Sequence, residues 1–190
     1  MQIEFIVPTY NRYDQLVSML SSLMAQISKN WLATIVVDDF ENDNVKNIVK
    51  KFNSDKIKYI FTNKRYNDFG HTPREIGKQQ AIGDYIIMTG DDNYYVPSFV
   101  QEFENKIYEN NNPGMVYCNM LHNVYDYNPF NCTIVDGRID MGAFATRIDL
   151  AQNLELGKEY AADAYFVMNF YKKYTTEKII KIEKILFIHN

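Results

Sequence analysis

An α/β domain with a mostly parallel central sheet is what the amino-acid sequence predicts, on two observations. Short apolar runs alternate with segments of helical periodicity, which implies parallel strands joined by right-handed helical crossovers. Two of those runs also end in paired acids, Asp38-Asp39 and Asp91-Asp92. The C-terminal strand ends of a parallel sheet gather along one edge, so both pairs are expected to face one crevice.

The first strand is expected over residues 2–7, left by the turn Pro8-Thr9-Tyr10-Asn11-Arg12. A helix follows, with Asn11 as its cap, Asp14 near the positive end of the dipole, and Tyr13, Leu16, Val17, Leu20, Leu23 and Met24 on one face. Residues 33–37 form a second strand running into Asp38-Asp39. Val45, Ile48, Val49 and Phe52 make a short amphipathic helix that Asp43 or Asn44 can cap, and residues 57–61 a third strand. After the loop Gly70-His71-Thr72-Pro73 a helix carries Arg74, and a fourth strand over 84–88 leads into Thr89-Gly90-Asp91-Asp92-Asn93. Two rigidly aimed carboxylates at a strand end suit a hard cation such as Mn²⁺ or Mg²⁺ that grips a diphosphate; the same residues also make a plain polar turn. Further on, Asp163 opens an amphipathic helix whose apolar face holds Phe166, Phe170 and either Val167 or Met168. The apolar strand 185–188 ends at His189.

Composition bounds the function. A chain of 190 residues builds one sizeable core and is read as a single domain over 1–190. A net charge of −4 with scattered Lys and Arg leaves no basic stripe and argues against nucleic acid as a partner. Cys118 and Cys132 could pair across neighbouring strands, but the simpler expectation is two buried thiols in a reducing compartment. Met1 leads straight into a strand and no apolar run approaches the ~20 residues of a membrane span, so no signal peptide or transmembrane segment is expected and the location is read as cytoplasmic, or peripheral at the cytosolic membrane face. Neither a Gly-x-x-x-x-Gly-Lys-[Ser/Thr] loop nor a Gly-x-Gly-x-x-Gly fingerprint is present, which disfavours kinases, ATPases and dinucleotide enzymes. A sugar nucleotidyltransferase would place a Gly-rich basic loop where Pro8 to Arg12 stand.

Taken in order, Phe5-Ile6-Val7-Pro8-Thr9-Tyr10-Asn11-Arg12, Ile35-Val36-Val37-Asp38-Asp39, Arg74-Glu75-Ile76-Gly77, Ala81-Ile82-Gly83-Asp84-Tyr85, Asp91-Asp92-Asn93 and Pro97 resemble inverting glycosyltransferase family 2, of the GT-A (nucleotide-diphospho-sugar transferase) fold. The resemblance implies a Rossmann-like, mostly parallel sheet flanked by helices, with residues 1–105 binding nucleotide sugar and metal and 106–190 binding the acceptor. It implies metal-dependent transfer of a sugar from a nucleotide-diphosphate donor, UDP-sugar by family habit, to a hydroxyl of a glycan, lipid or protein-linked glycan. The alternative is a catalytically incomplete nucleotide-sugar-binding module, or one domain of a larger polysaccharide synthase.

By the same resemblance Pro8, Thr9, Tyr10, Arg12, Asp39, Arg74 and Asp91 bind the nucleotide sugar, with Asp38 the lesser of its pair. The family pattern is Asp-x-Asp; here Thr89 stands in the place of the first acid, and Asp92 with Asp91 is the expected metal pair. A C-terminal histidine commonly joins that metal, a role for His189, and imidazole beside carboxylate favours Mn²⁺ over Mg²⁺. Asp163 corresponds to the general base, with Glu159 a substitute. His71 is placed to approach the diphosphate. Helix capping, turn formation and a terminal surface position are the plainer roles of these residues. The loop 119–136, with Tyr125, Tyr127 and Phe130, is where acceptor specificity is expected.

Overall fold

The computed structural model describes residues 1–135, 137–157 and 161–190. Its elements are β1 (Ile3–Thr9), α1 (Tyr13–Met24), β2 (Trp31–Val37), α2 (Asp43–Phe52), β3 (Ile57–Phe61), α3 (His71–Gln80), β4 (Tyr85–Met88), β5 (Tyr94–Tyr95), α4 (Phe99–Glu109), β6 (Met115–His122), β7 (Asn128–Phe130), β8 (Phe144–Arg147), α5 (Ile148–Ala151), α6 (Ala162–Lys173) and β9 (Ile179–His189), with 3₁₀ turns at Asn123–Tyr125 and Met141–Ala143. Among the described residues the strands make one sheet, ordered β3-β2-β1-β4-β8-β6-β9-β5, with β7 paired to β6.

Strands β3, β2, β1 and β4 are mutually parallel. β1 is buried along all seven residues, as a central strand covered on both faces must be. Glu4, in its middle, is tolerated because Thr34 Oγ1 and the backbone N–H groups of Ile82 and Gly83 donate to its carboxylate, and Lys58 lies 3.2 Å away. β2 lies on one side of β1 and β4 on the other, so the chain order reverses at β1 and opens a crevice beyond its C-terminal end. The second half is mixed: β8 runs antiparallel to β4 and β6, and β9 pairs in parallel with β6 and antiparallel with β5.

Helix α3 lies close on this sheet because residue 77 has no side chain: a Cβ there would stand 2.3 Å from Ile6 Cγ2 and 3.0 Å from Val36 Cγ2. One residue on, the buried Lys78 ammonium pairs with Glu75 and donates to the Leu154 carbonyl, while Glu75 accepts the Leu156 N–H at 2.6 Å. The helix thereby anchors the segment that leads towards α6.

Local expectations needed adjustment at helix ends. Asn11 does not cap α1: it takes a left-handed φ of 52° and accepts from the Tyr13 hydroxyl, and the cap position is Arg12. Met19 replaces Val17 and Met24 on the buried face of α1. Neither Asp43 nor Asn44 caps α2; Asn42 does, accepting the Asn44 N–H. β9 begins at Ile179, six residues before the expected strand. Cys118 and Cys132 are buried free thiols. No helix among the described residues is long and apolar enough to cross a membrane.

Candidate active site

A cleft of about 550 Å³ opens beyond the C-terminal ends of β1, β2 and β4, within the roughly 300–1,000 Å³ of ligand sites. Acids from two strand ends meet there, Asp38 after β2 and Asp91 and Asp92 after β4. Thr9, the last residue of β1, donates its hydroxyl to Asp91 Oδ2 at 2.7 Å and so ties the two sides of the crevice together. Burial pushes the Asp91 carboxyl up from its usual range, and the Thr9 hydrogen bond opposes that. Arg12, at the start of α1, forms an ion pair with Asp92 and reaches Asp91 at 3.5 Å. Burial works against its charge, but Asp92 and Asp91 hold its pKa above the ordinary value.

The far wall is built by the second half of the chain. Asp140 accepts the Gly142 N–H at 2.7 Å, opening the 3₁₀ turn, and its other oxygen lies 3.3 Å from His189 Nε2. Burial would raise the Asp140 carboxyl; His189, the Gly142 N–H and Arg74 outweigh it and set it below the usual range. His189 is correspondingly raised, Asp140 outweighing the burial that disfavours its charge. Its ring stacks on His122 with centroids 4.2 Å apart, a consequence of the His122↔His189 register of β6 and β9. Asn190 then latches the end of β9 to the acidic turn, donating to the Asp92 carbonyl at 2.8 Å and to Asn93 Oδ1 at 3.3 Å.

Between the walls stands Arg74, whose guanidinium donates to the carbonyls of Thr89 at 3.2 Å and Phe69 at 2.9 Å. Burial lowers its pKa, opposed by Asp140, Asp91, Asp163 and Asp92, so one fixed cation serves four acids. Asp163 is not on the cleft surface itself. It is partly buried in the first turn of α6, accepts the Ala164 N–H at 2.7 Å, and is pushed up to about 6 by burial, with Asp140 adding and Arg74 opposing.

Of the residues expected at the site, Pro8, Thr9, Tyr10, Arg12, Arg74, Asp91, Asp92 and His189 line the cleft. Asp39 does not, and Asp38 takes the inward position. The two neighbours part where the chain leaves β2. Asp39 turns away and accepts the Phe40 N–H at 2.8 Å. Asp38 instead pairs with Arg65 and accepts the N–H groups of Tyr66 and Asn67 at 2.9 and 3.2 Å. His71 is buried as the first residue of α3 rather than exposed in a loop, and it is not part of the cleft wall. Asp136 and Glu159 lie outside the described residues. Asp140 and Arg65 were not singled out by the sequence. The one local signal for Asp140 is its cap-like place before Met141-Gly142-Ala143, and Arg65 carries none.

Among the described residues no three His, Cys, Asp or Glu side chains form a cluster able to hold a metal ion by themselves. That donor set still suits a cation of the Mg²⁺ or Mn²⁺ kind, which is held by one or two carboxylates with substrate phosphates completing the shell. His189 Nδ1 is buried with no hydrogen-bond partner, a donor atom left over at the cleft.

The sequence profile of glycosyl transferase family 2 matches residues 4–173. The chain belongs to that family. It carries a glycosyltransferase domain, and relatives in sequence bear similar names. An uncharacterized glycosyltransferase of Haemophilus influenzae is 27% identical over 129 residues, 66% of this chain and 42% of that protein. Poly(ribitol-phosphate) beta-N-acetylglucosaminyltransferase TarS of Staphylococcus aureus is 31% identical over 96 residues, 50% of this chain and 17% of that protein. In structure, S. aureus TarS 1-349 in complex with UDP-GlcNAc superposes with a TM-score of 0.84 at 18% identity, over 99% of this chain and 58% of that one. A mannosyltransferase from Pyrobaculum calidifontis in complex with GDP-Man and Mn²⁺ gives 0.74 at 13% identity, over 99% and 56%. The shared fold is GT-A. The chain spans less than half the length of these curated relatives.

Proposed function

We propose that this family 2 domain transfers a sugar, with inversion, from a nucleotide-diphosphate donor to an acceptor hydroxyl of a glycan, lipid or protein-linked glycan. The observation that carries the reading is the meeting of Asp38, Asp91 and Asp92 with Arg12 and Arg74 in one cleft at the reversal point of the sheet. A UDP-sugar is the donor of choice, since TarS binds UDP-GlcNAc on the same fold. The base lies towards Pro8, Tyr10 and Asp38, and the diphosphate towards Arg74 and the Asp91–Asp92 turn. Asp92 and His189 would hold Mn²⁺ or Mg²⁺, with Asp91 beside them. Bound there, the cation supplies charge neutralisation for the leaving diphosphate.

Asp163 acts as the general base. As the acceptor oxygen attacks the anomeric carbon, Asp163 takes the hydroxyl proton, the bond from that carbon to the diphosphate oxygen breaks, and the configuration inverts. A carboxyl raised to about 6 is ionised at neutral pH yet basic enough for the task. The exposed Tyr125 and Tyr127, close to β7, offer ring faces to an acceptor sugar.

Thermal denaturation against a panel of nucleotide sugars, with and without Mn²⁺, tests the reading. A true donor at about 100 times its Kd stabilises by ~2.7 kcal/mol, a rise of roughly 5–10 °C. No rise with any member of the panel would overturn it. Asp92→Asn should reduce the Mn²⁺-dependent part of donor affinity at least ~10-fold by calorimetry, and equal affinities would remove Asp92 from the metal. The short span relative to its relatives also favours reading the chain as one domain of a larger synthase. In that case the domain alone hydrolyses donor slowly without transferring to added glycan.

A further inference from the structure

We propose that Arg65 is the plate on which the donor's nucleobase stacks, a binding residue contributed by the loop after β3. The inference rests on the nucleotide-sugar reading above and deepens it.

The guanidinium carbon of Arg65 lies 3.7 Å from the centroid of the Tyr10 ring, so one of its faces is covered by that ring. Two of its nitrogens are engaged as well. Nη1 pairs with Asp38, and Nη2 donates to Asn67 Oδ1 at 2.9 Å. About a third of the side chain, 34%, stays exposed, and the residue borders the cleft. With one face and two nitrogens engaged, the second face is the surface that a planar ligand would use. A guanidinium gripping phosphate uses its N–H edges, whereas a planar aromatic ring uses its face. Arg65 therefore suits a flat π ring.

The loop is built to hold this arrangement. Asn63, Asn67 and Phe69 all take left-handed φ values of 54° to 59°, a conformation disfavoured for residues with a side chain. Asp38 accepts the backbone N–H groups of Tyr66 and Asn67, fixing the loop at the end of β2. Arg65 thus loses its rotamer freedom before any ligand arrives, which lowers the entropic cost of stacking on it.

Calorimetry on the full chain tests this with two probes, UDP and pyrophosphate, both in the presence of Mn²⁺. Arg65→Ala should weaken UDP about 5–20-fold, the worth of one lost stacking partner, and leave pyrophosphate within about twofold. Arg65→Lys keeps the charge beside Asp38 without the plane and should show most of the same loss, which separates lost stacking from a collapsed loop. Three results would overturn the proposal. Tighter UDP binding in Arg65→Ala would make Arg65 a plug that the base displaces from Tyr10. Equal losses for both probes would make it a phosphate ligand. Unchanged UDP affinity would leave it without a role. If the unaltered chain binds no nucleoside diphosphate, the donor reading falls together with this one; if it binds UDP and the variants do too, only the role of Arg65 falls.

Discussion

The two acidic corners of the cleft are balanced by different cations. At one, Asp91 and Asp92 face Arg12, a side chain 54% exposed and charged at every working pH. At the other, Asp140 faces His189, a ring held under His122 and charged only when protonated. The first cation can be exchanged, because swinging an exposed arginine away costs little beyond a surface ion pair. The second is fixed in place and responds to pH instead. On the proposed function a cation and a diphosphate would enter from the first corner, while Asp140 of the second sets the electrostatic background for Asp163.

The sharpest test lies on the histidine side. Asp163→Asn should cut turnover by about 10²-fold or more and leave donor affinity within about twofold, as read by transfer rates and calorimetry. In the unaltered protein the rate should fall about tenfold per unit below pH ~6, where the carboxyl raised to about 6 becomes protonated. An active Asn variant, or a profile flat to pH 5, would take the base away from this corner. At the arginine corner, Arg12→Ala frees both carboxylates. Mn²⁺ binding to the donor-free protein, followed by electron paramagnetic resonance, should tighten by ~3–5-fold, the worth of an exposed ion pair. Weaker Mn²⁺ binding would show that Arg12 supports the metal rather than standing in for it.

The smallest effect concerns stability. His189 is raised on folding, so its pairing with Asp140 contributes fully below the unfolded value near ~6.5 and is lost as pH rises through the folded one. Without metal, the Tm should decline as pH rises above ~6.5, and His189→Gln should flatten that decline by about 1–3 °C. Asp163 is raised too, but as an acid its ionisation opposes folding, and that loss accrues between the ordinary carboxylate range and about 6. The windows are separate, so a slope confined below pH 6 would belong to the raised carboxyls, Asp163 and Asp91, and not to the histidine.

What could be read from the sequence follows from how far its signals reach. The parallel strands and the Asp91-Asp92 turn were legible because apolar runs and turn residues report on their own neighbourhoods. The choice of Asp38 over Asp39 turns on how the chain bends once it has left β2, where Asp38 is held by Arg65 and the N–H groups of Tyr66 and Asn67, partners far along the chain. Asp140 and His189 stand far apart in the chain and meet through the pairing of β6 with β9 and the turn before β8, an arrangement no local pattern records. Arg65 is placed by left-handed asparagines and by the backbone bonds of Asp38, contacts that exist only once the loop has closed on the sheet. The capping of α2 by Asn42 rather than its neighbours is the ordinary uncertainty of a helix start.

Helix α3 acts as a common axle for the two halves. Arg74 reaches the cleft from it, while Glu75 and Lys78, within a turn, grip the stretch of chain that runs on towards α6, and residue 77 lies hard against the sheet with no slack to take up. Any rotation that re-aims the arginine also drags that grip. Grafting a relative's acceptor region onto this chain would therefore have to bring its own version of the axle, since neither half keeps its alignment when the other changes shaft.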